Sequence, residues 1–176
     1  ATLCERLIAV PHRRFVYISS VDVYQGQAGT GDEGTVIDPA LLPSAYARMK
    51  YECEQRVQDH AVAPLILRPS ALQAPSEAIT LAAQSCFNYV SHTQVAALIG
   101  RLLADGVVGA VNVASAHGVT LAEIAAHYGC NPVFGAFEYQ TPTVDNRTAA
   151  RFLPELQQDS LELFVRFWSE YTAGQA

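Results

Sequence analysis

The stretch that decides the fold is Pro43-Ser44-Ala45-Tyr46-Ala47-Arg48-Met49-Lys50-Tyr51-Glu52-Cys53-Glu54. Tyr46 and Lys50 lie four residues apart. On a helix they leave the same face, one turn from each other. A phenol is a poor base at neutral pH, with a reference pKa of about 10. An ammonium fixed ~4–5 Å away favours the phenolate by about 3–4 kcal/mol at an effective dielectric of ~20. A tyrosine so placed can take a proton from an alcohol or return it to a carbonyl. A hydroxyl opposite, such as Ser20, can hydrogen-bond the reacting oxygen. Tyr and Lys at this spacing also occur by chance in amphipathic helices, so the surrounding order has to carry the reading.

Working outward, Ser44 is suited to cap a helix running from Tyr46 to about His60. Upstream, Arg14-Phe15-Val16-Tyr17-Ile18-Ser19 reads as a short strand, apolar on both faces as in a central parallel sheet. It leads into Ser20-Val21-Asp22-Val23-Tyr24. Downstream, Leu65-Ile66-Leu67 is a second buried strand, ending in Arg68-Pro69-Ser70. Strand, helix, strand of these lengths makes a crossover in a parallel sheet. Residues 25–43 contain Gly26, Gly29, Gly31, Gly34, Pro39 and Pro43 and read as a loop.

The rest of the chain is less regular. Residues 2–10 read as a helix stopped by Pro11, and residues 79–86 as a helical segment. Phe87–Val90 is expected to be a strand, 93–103 an amphipathic helix and Ala110–Val113 a strand. Thr120-Leu121-Ala122-Glu123 spells a capping box, opening a helix to Tyr128 that Gly129 ends. Val133–Tyr139 is expected as a strand and Leu156–Tyr171 as a terminal amphipathic helix.

Composition narrows the function classes. A net charge of −6 with no cluster of Lys or Arg argues against a nucleic-acid surface. No apolar run approaches the ~20 residues of a membrane span. Cys4, Cys53, Cys86 and Cys130 are far apart with no C-x-x-C pair. This disfavours a zinc site or a disulfide framework and fits a cytoplasmic protein. The G-x-G-x-x-G spelling Gly29-Thr30-Gly31-Asp32-Glu33-Gly34 falls inside the loop of residues 25–43 and not at a strand-to-helix turn, where a dinucleotide fingerprint would have to stand.

In order and spacing these segments resemble the extended short-chain dehydrogenase/reductase family, of the NAD-dependent epimerase/dehydratase type. Its members place in sequence a strand ending in Ser-Ser or Ser-Thr, a Val-Tyr-Gly step, a Pro-x-Ser-x-Tyr-x-x-x-Lys helix with Glu close behind, and a strand ending Leu-Arg-Pro. Later segments follow as well: Tyr89–Ala96, Val111-Asn112-Val113-Ala114, and Val144-Asp145-Asn146-Arg147 at the opening of a helix. The fold expected is α/β, the C-terminal part of a Rossmann-like doubly wound parallel sheet with a small α/β substrate-binding region. Residues 1–70 would belong to the dinucleotide-binding part. Residues 71–176 would form the substrate region, interleaved with the last sheet strand. The glycine-rich strand-to-helix turn that holds a dinucleotide pyrophosphate would precede this stretch. The 176 residues are therefore read as the C-terminal portion of a longer enzyme, with little dinucleotide binding or turnover on their own.

The resemblance implies NAD or NADP as cofactor and oxidation, reduction or epimerisation at a carbinol carbon of a sugar or nucleotide sugar. It makes Tyr46 the general acid/base. Lys50 would lower its pKa and bond the cofactor ribose, and Ser20 would bond the substrate oxygen. Pro69 and Ser70 would lie against the nicotinamide. Asp22 sits where sugar-nucleotide dehydratases carry an acidic residue; without its acidic neighbour it argues against dehydration, and it is a candidate substrate contact. Two departures stand out: Gln25 replaces a glycine and Gln94 an aspartate. The stretch from Pro69 to Phe87 is short for a nucleotide-sugar pocket. A homodimer contact through residues 2–10 and 46–60 is implied, with Leu7 and Val57 facing outward. The rival reading is a non-catalytic, NAD(P)-sensing regulator or scaffold of the same fold.

Overall fold

The computed structural model describes residues 3–72 and 81–173. In chain order the elements are helix α1 (Leu3–Ile8), strand β1 (Phe15–Ile18), helix α2 (Ala45–His60), strand β2 (Pro64–Pro69) and the two-residue strands β3 (Ala71–Leu72), β4 (Cys86–Phe87) and β5 (Tyr89–Val90). Helix α3 (His92–Ala104), strand β6 (Gly109–Val113), strand β7 (Val119–Thr120), and helices α4 (Leu121–His127), α5 (Arg147–Phe152) and α6 (Ser160–Ala173) complete them.

The main sheet is parallel, in the order β1-β2-β6. Tyr17 pairs with Ile66, and Arg68 with Asn112. The central strand β2 is buried from Leu65 onward, which is why its sequence is apolar without alternation. The period of two still sorts its side chains. Leu65 and Leu67 join Val111 and Val113 in a core closed by Leu98 and Leu102 of α3 and by Ala149, Leu153 and Leu156. Each such leucine removed from water stabilises the fold by about 1.5–3 kcal/mol. Arg68 and Asn112 point to the other face, Arg68 toward α2 and Asn112 toward the turn after β1.

A buried charge on that face must be paired. The Arg68 guanidinium donates to both carboxylate oxygens of Glu54, at 2.7 Å from Nη2 and 3.0 Å from Nε. Glu54 is fully buried. Arg68 Nη1 also donates to the Tyr24 hydroxyl at 2.5 Å. That hydroxyl lies 3.0 Å from Asn112 Oδ1 and 2.7 Å from the Asp32 carbonyl. The network ties α2, β2, β6 and the turn after β1 into one unit.

Several expectations need correction. Within residues 81–86 there is no helix: Leu81 makes a single bridge to Phe137, and Cys86 opens β4. Residues 79–80 lie outside the described residues. Val133–Tyr139 forms no strand. Pro132 and Gly135 break it, and only the isolated bridges Leu81–Phe137 and Cys86–Gln140 tie the segment down. The Phe87–Val90 strand is split at Asn88. Its first half pairs antiparallel with β7 and its second parallel with β3, while the Asn88 side chain donates to the Ser115 carbonyl. The terminal helix starts at Ser160, because Pro154–Gln157 takes a 3₁₀ turn. Val57 is fully buried, not outward-facing. It follows Glu54 by three residues and so shares its sheet-facing side.

Breaking the buried pair should be costly. Glu54→Leu leaves a charged guanidinium without its counter-ion and should lower unfolding free energy by about 3–5 kcal/mol. Glu54→Leu combined with Arg68→Met should recover most of that loss. Chemical denaturation of the full-length protein checks both. An equal loss in the single and double variants would show that charge pairing is not the governing term.

Candidate active site

Tyr46 and Lys50 stand on the first turns of α2, whose N-cap is Ser44, its side chain accepting from the Ala47 amide at 3.0 Å. The cap fixes where the helix begins and hence where Tyr46 points. Ala47 is fully buried, whereas Tyr46, one residue earlier, is about half exposed at 48%. The helix therefore presents the phenol while anchoring the adjacent position.

Lys50 is half-buried and reaches back to the sheet. Its Nζ donates to the Ile18 carbonyl at 2.8 Å, at the C-terminal end of β1. The same ammonium lies 5.6 Å from the Tyr46 ring centroid and 5.4 Å from that of Tyr17. The structure thus brings Tyr46 and Lys50 together and places both beside the end of β1. Burial lowers the Lys50 pKa from its ordinary value, partly offset by Cys53 and Glu54.

Ser19 and Ser20 follow directly and are both buried. Ser20 caps the 3₁₀ turn Val21–Tyr24, accepting from the Asp22 amide at 3.2 Å. Acting as acceptor there, the hydroxyl keeps its proton for an oxygen placed above the strand end. Ser19 Oγ is buried with no hydrogen-bond partner among the described residues. Such an atom calls for a partner that the protein does not supply. The sequence pattern gives Ser19 only the end of a strand, and nothing local signals its orphaned hydroxyl.

Pro69 and Ser70 end β2 at the same edge of the sheet. The Ser70 amide donates to the Val113 carbonyl at 2.9 Å, and its hydroxyl donates to the Asn88 carbonyl. In this arrangement neither donor is left for a ligand. Asp22 is half-buried and engaged by protein groups: Oδ1 accepts from Gln25 Nε2 at 2.9 Å and from the Tyr139 hydroxyl at 2.5 Å. Burial, and then the Asp22 carboxylate, push the Tyr139 pKa up. Tyr139 went unnoticed in the sequence, since 117 residues separate it from Asp22.

Both sequence departures are absorbed locally. Gln25 takes an ordinary extended backbone, and the left-handed conformation falls one residue later, on Gly26 at φ +78°. A Cβ there would meet the Leu41 carbonyl oxygen at 2.3 Å. Gln94 closes a capping box with Ser91 at the start of α3. Among the described residues no group of three or more His, Cys, Asp or Glu side chains could hold a metal ion, and no helix is long and apolar enough to cross a membrane.

The Lys50 shift gives a sign to its pH dependence. The folded chain binds this proton less tightly than the unfolded chain. Between the lowered value and the ordinary 10.5, the unfolded state therefore holds more protons, and stability rises with pH. The stability of the wild type relative to Lys50→Met should accordingly increase as pH climbs through that window. A flat difference across it would mean that Lys50 is not desolvated.

No known protein-family model matches the chain, and no curated protein matches its sequence. Solved structures do match. A NAD-dependent NDP-hexosamine 5,6-dehydratase, TunA, involved in tunicamycin biosynthesis, superposes with a TM-score of 0.71 at 16% identity over 96% of this chain and 67% of that one. dTDP-glucose 4,6-dehydratase from Bacillus anthracis in complex with NAD gives 0.65 at 14% identity, covering 93% and 65%. UDP-glucuronic acid 4-epimerase from Bacillus cereus, in complex with UDP-glucuronic acid and NAD, gives 0.63 at 14% identity, covering 94% and 65%. The chain spans about two thirds of the length of these proteins. It has the α/β fold of the corresponding part of NAD-dependent sugar epimerases and dehydratases.

Proposed function

We propose that the complete protein is an NAD(P)-dependent oxidoreductase or epimerase acting at a carbinol carbon. The observation that carries this reading is Lys50: it is fixed to the Ile18 carbonyl and faces the Tyr46 ring, beside the Ser19–Ser20 strand end. Nucleotide sugars are named for two of the matched structures, UDP-glucuronic acid for the epimerase and an NDP-hexosamine for TunA, and the reacting group in this reading is a secondary alcohol or its ketone.

The residues fit a nicotinamide dinucleotide. The orphaned Ser19 hydroxyl lies at the strand end where such a ring would supply a partner. Lys50 would hold the ribose, with Tyr46, and the backbone at Pro69–Ser70 would form the wall. Bound NAD or NADP supplies the hydride acceptor, and in the reverse direction the donor. Tyr46 takes the alcohol proton as the carbonyl forms, or returns it in reduction. Ser20 donates to the same oxygen and holds it in place. The Lys50 ammonium favours the negative charge that Tyr46 carries between those steps. Asp22, bonded to Tyr139, supports the Ser20 turn and would meet a substrate only at the edge of the site.

Tyr46→Phe keeps the ring and removes the proton. In the full-length enzyme turnover should fall ~10²–10⁴-fold, with cofactor affinity little changed. Lys50→Met should weaken both. Unchanged turnover in Tyr46→Phe would remove Tyr46 from the mechanism.

Association through α1 and α2 completes the proposal. Leu3, Leu7 and Met49 expose apolar surface there, and Arg56 joins the two helices through Glu5 at 3.3 Å. Light scattering at micromolar concentration should give a dimer mass; a monomer refutes the contact.

A further inference from the structure

Beyond the end of β2, residues Ala71 and Leu72 open onto a cleft of about 420 Å³. That is ample room for a small organic molecule. Its walls are apolar: Leu121 and Ile124 of α4 on one side, Phe164 and Trp168 of α6 on the other, and Phe87 and Tyr89 at the base. Among the described residues that line it, none is charged.

The aromatic side chains form a continuous row. Trp168 stacks on Phe164 at 6.5 Å between centroids, and Phe164 meets Tyr89 at 5.1 Å. Tyr89 stacks on Phe87 at 5.6 Å, and Phe87 on Tyr139 at 5.1 Å. Tyr139 bonds Asp22, two residues from Ser20. The row therefore runs from the surface to the turn that carries the candidate substrate-bonding hydroxyl. Trp168 remains 37% exposed at its outer end. Burial raises the Tyr89 pKa to about 12, consistent with a dry base to the cleft.

Charge bears on the same question. From Pro69 to Asn146 the only lysine or arginine is Arg101. Its guanidinium donates to the Phe152 carbonyl, away from the cleft. Arg68 is bound to Glu54, Arg147 to Asp145 and Arg166 to Glu155. A diphosphate is recognised by cations, above all by the planar fork of arginine, and no lysine or arginine is among the described residues that line the cleft. An uncharged ring laid against aromatic faces needs none, and its binding is driven by the apolar area removed from water.

We propose that the molecule taken by this site is an uncharged alcohol or ketone whose apolar ring body lies on the row Phe87–Tyr89–Phe164–Trp168, rather than a nucleoside diphosphate sugar. This rests on the reading of Ser20, Tyr46 and Lys50 as the reacting centre and replaces the nucleotide handle with an apolar one. The carbinol would point toward Ser20 and the ring body outward along the cleft.

The test is calorimetric titration of the full-length protein with 2-decalone, a neutral bicyclic ketone, and separately with UDP-glucose. Saturable 2-decalone binding is expected, with UDP-glucose at least tenfold weaker. Ile124→Glu, which puts a carboxylate into the cleft wall, should weaken 2-decalone at least tenfold. Leu121→Ala, a milder change to the same wall, should weaken it several-fold, and circular dichroism establishes that each variant is folded. The wall variants report on the cleft alone, because Leu121 and Ile124 take no part in the reacting centre, which separates this inference from the catalytic assignment. Tighter binding of UDP-glucose than of 2-decalone overturns the inference and leaves the hydride-transfer reading standing. Absence of 2-decalone binding, or binding indifferent to both wall substitutions in folded protein, also overturns it.

Discussion

The guanidinium of Arg68 sits where four separate parts of the chain meet. It comes from β2 and binds the Glu54 carboxylate of α2. Through the Tyr24 hydroxyl it reaches the turn after β1 and Asn112 of β6. Asn112 Nδ2 in turn donates to the carbonyls of Gly31 and Asp145. A charge this deep is tolerable only when every partner is in place, so the network admits one arrangement of its elements. Tyr24 adds a steric constraint, because its ring lies where a Cβ on Gly31 would be, 2.5 Å away. The loop can cross the end of the sheet there only with glycine at that position.

This constraint reaches the candidate site through α2. Glu54 lies eight residues after Tyr46, about 12 Å along a helix. Once Glu54 is clamped to Arg68 and Ser44 caps the first turn, both ends of that span are fixed. Lys50, midway between them, can then hold the Ile18 carbonyl without its long side chain having to search for a position. Fixing the geometry in the fold, ahead of any ligand, is what makes a positioned acid–base group effective.

The parts that were legible in the sequence are those set by short-range chemistry. The Ser44 cap, the Tyr46–Lys50 spacing, the apolar run of β2 and the Thr120–Glu123 capping box are decided within a few residues. The structure places each as the local pattern requires. What the sequence did not disclose depends on distant partners. Residues 133–139 have strand-like composition, but only isolated bridges are available to them. Residues 81–86 are held by contacts to Phe137, Tyr139 and β7. The Asp22–Tyr139 bond joins residues with no sequence relation, and the orphaned Ser19 hydroxyl is defined by what fails to reach it. Val57 was misread because the sheet-facing side of α2 is marked by a charged residue, Glu54, whose burial no hydropathy pattern foretells.

Helix α2 itself resolves a conflict between holding and exposing a reactive side chain. Ala47, Glu54 and Val57 are its buried positions, spaced by seven and three residues, a single stripe along a helix. Tyr46 precedes Ala47 by one residue and is therefore rotated about 100° away from that stripe. A rotation of this size takes the phenol out of the packed interface while leaving its backbone within the turn that Ser44 caps. Lys50, three residues after Ala47, returns close to the stripe and so can touch both the strand end and the Tyr46 ring. The phenol needs access to a ligand, whereas the ammonium needs a fixed anchor and partial desolvation. A helix of 3.6 residues per turn meets both demands with a four-residue spacing, provided that the residue after the tyrosine is small enough to pack against the body of the protein. Alanine at position 47, with no exposed surface, satisfies that condition.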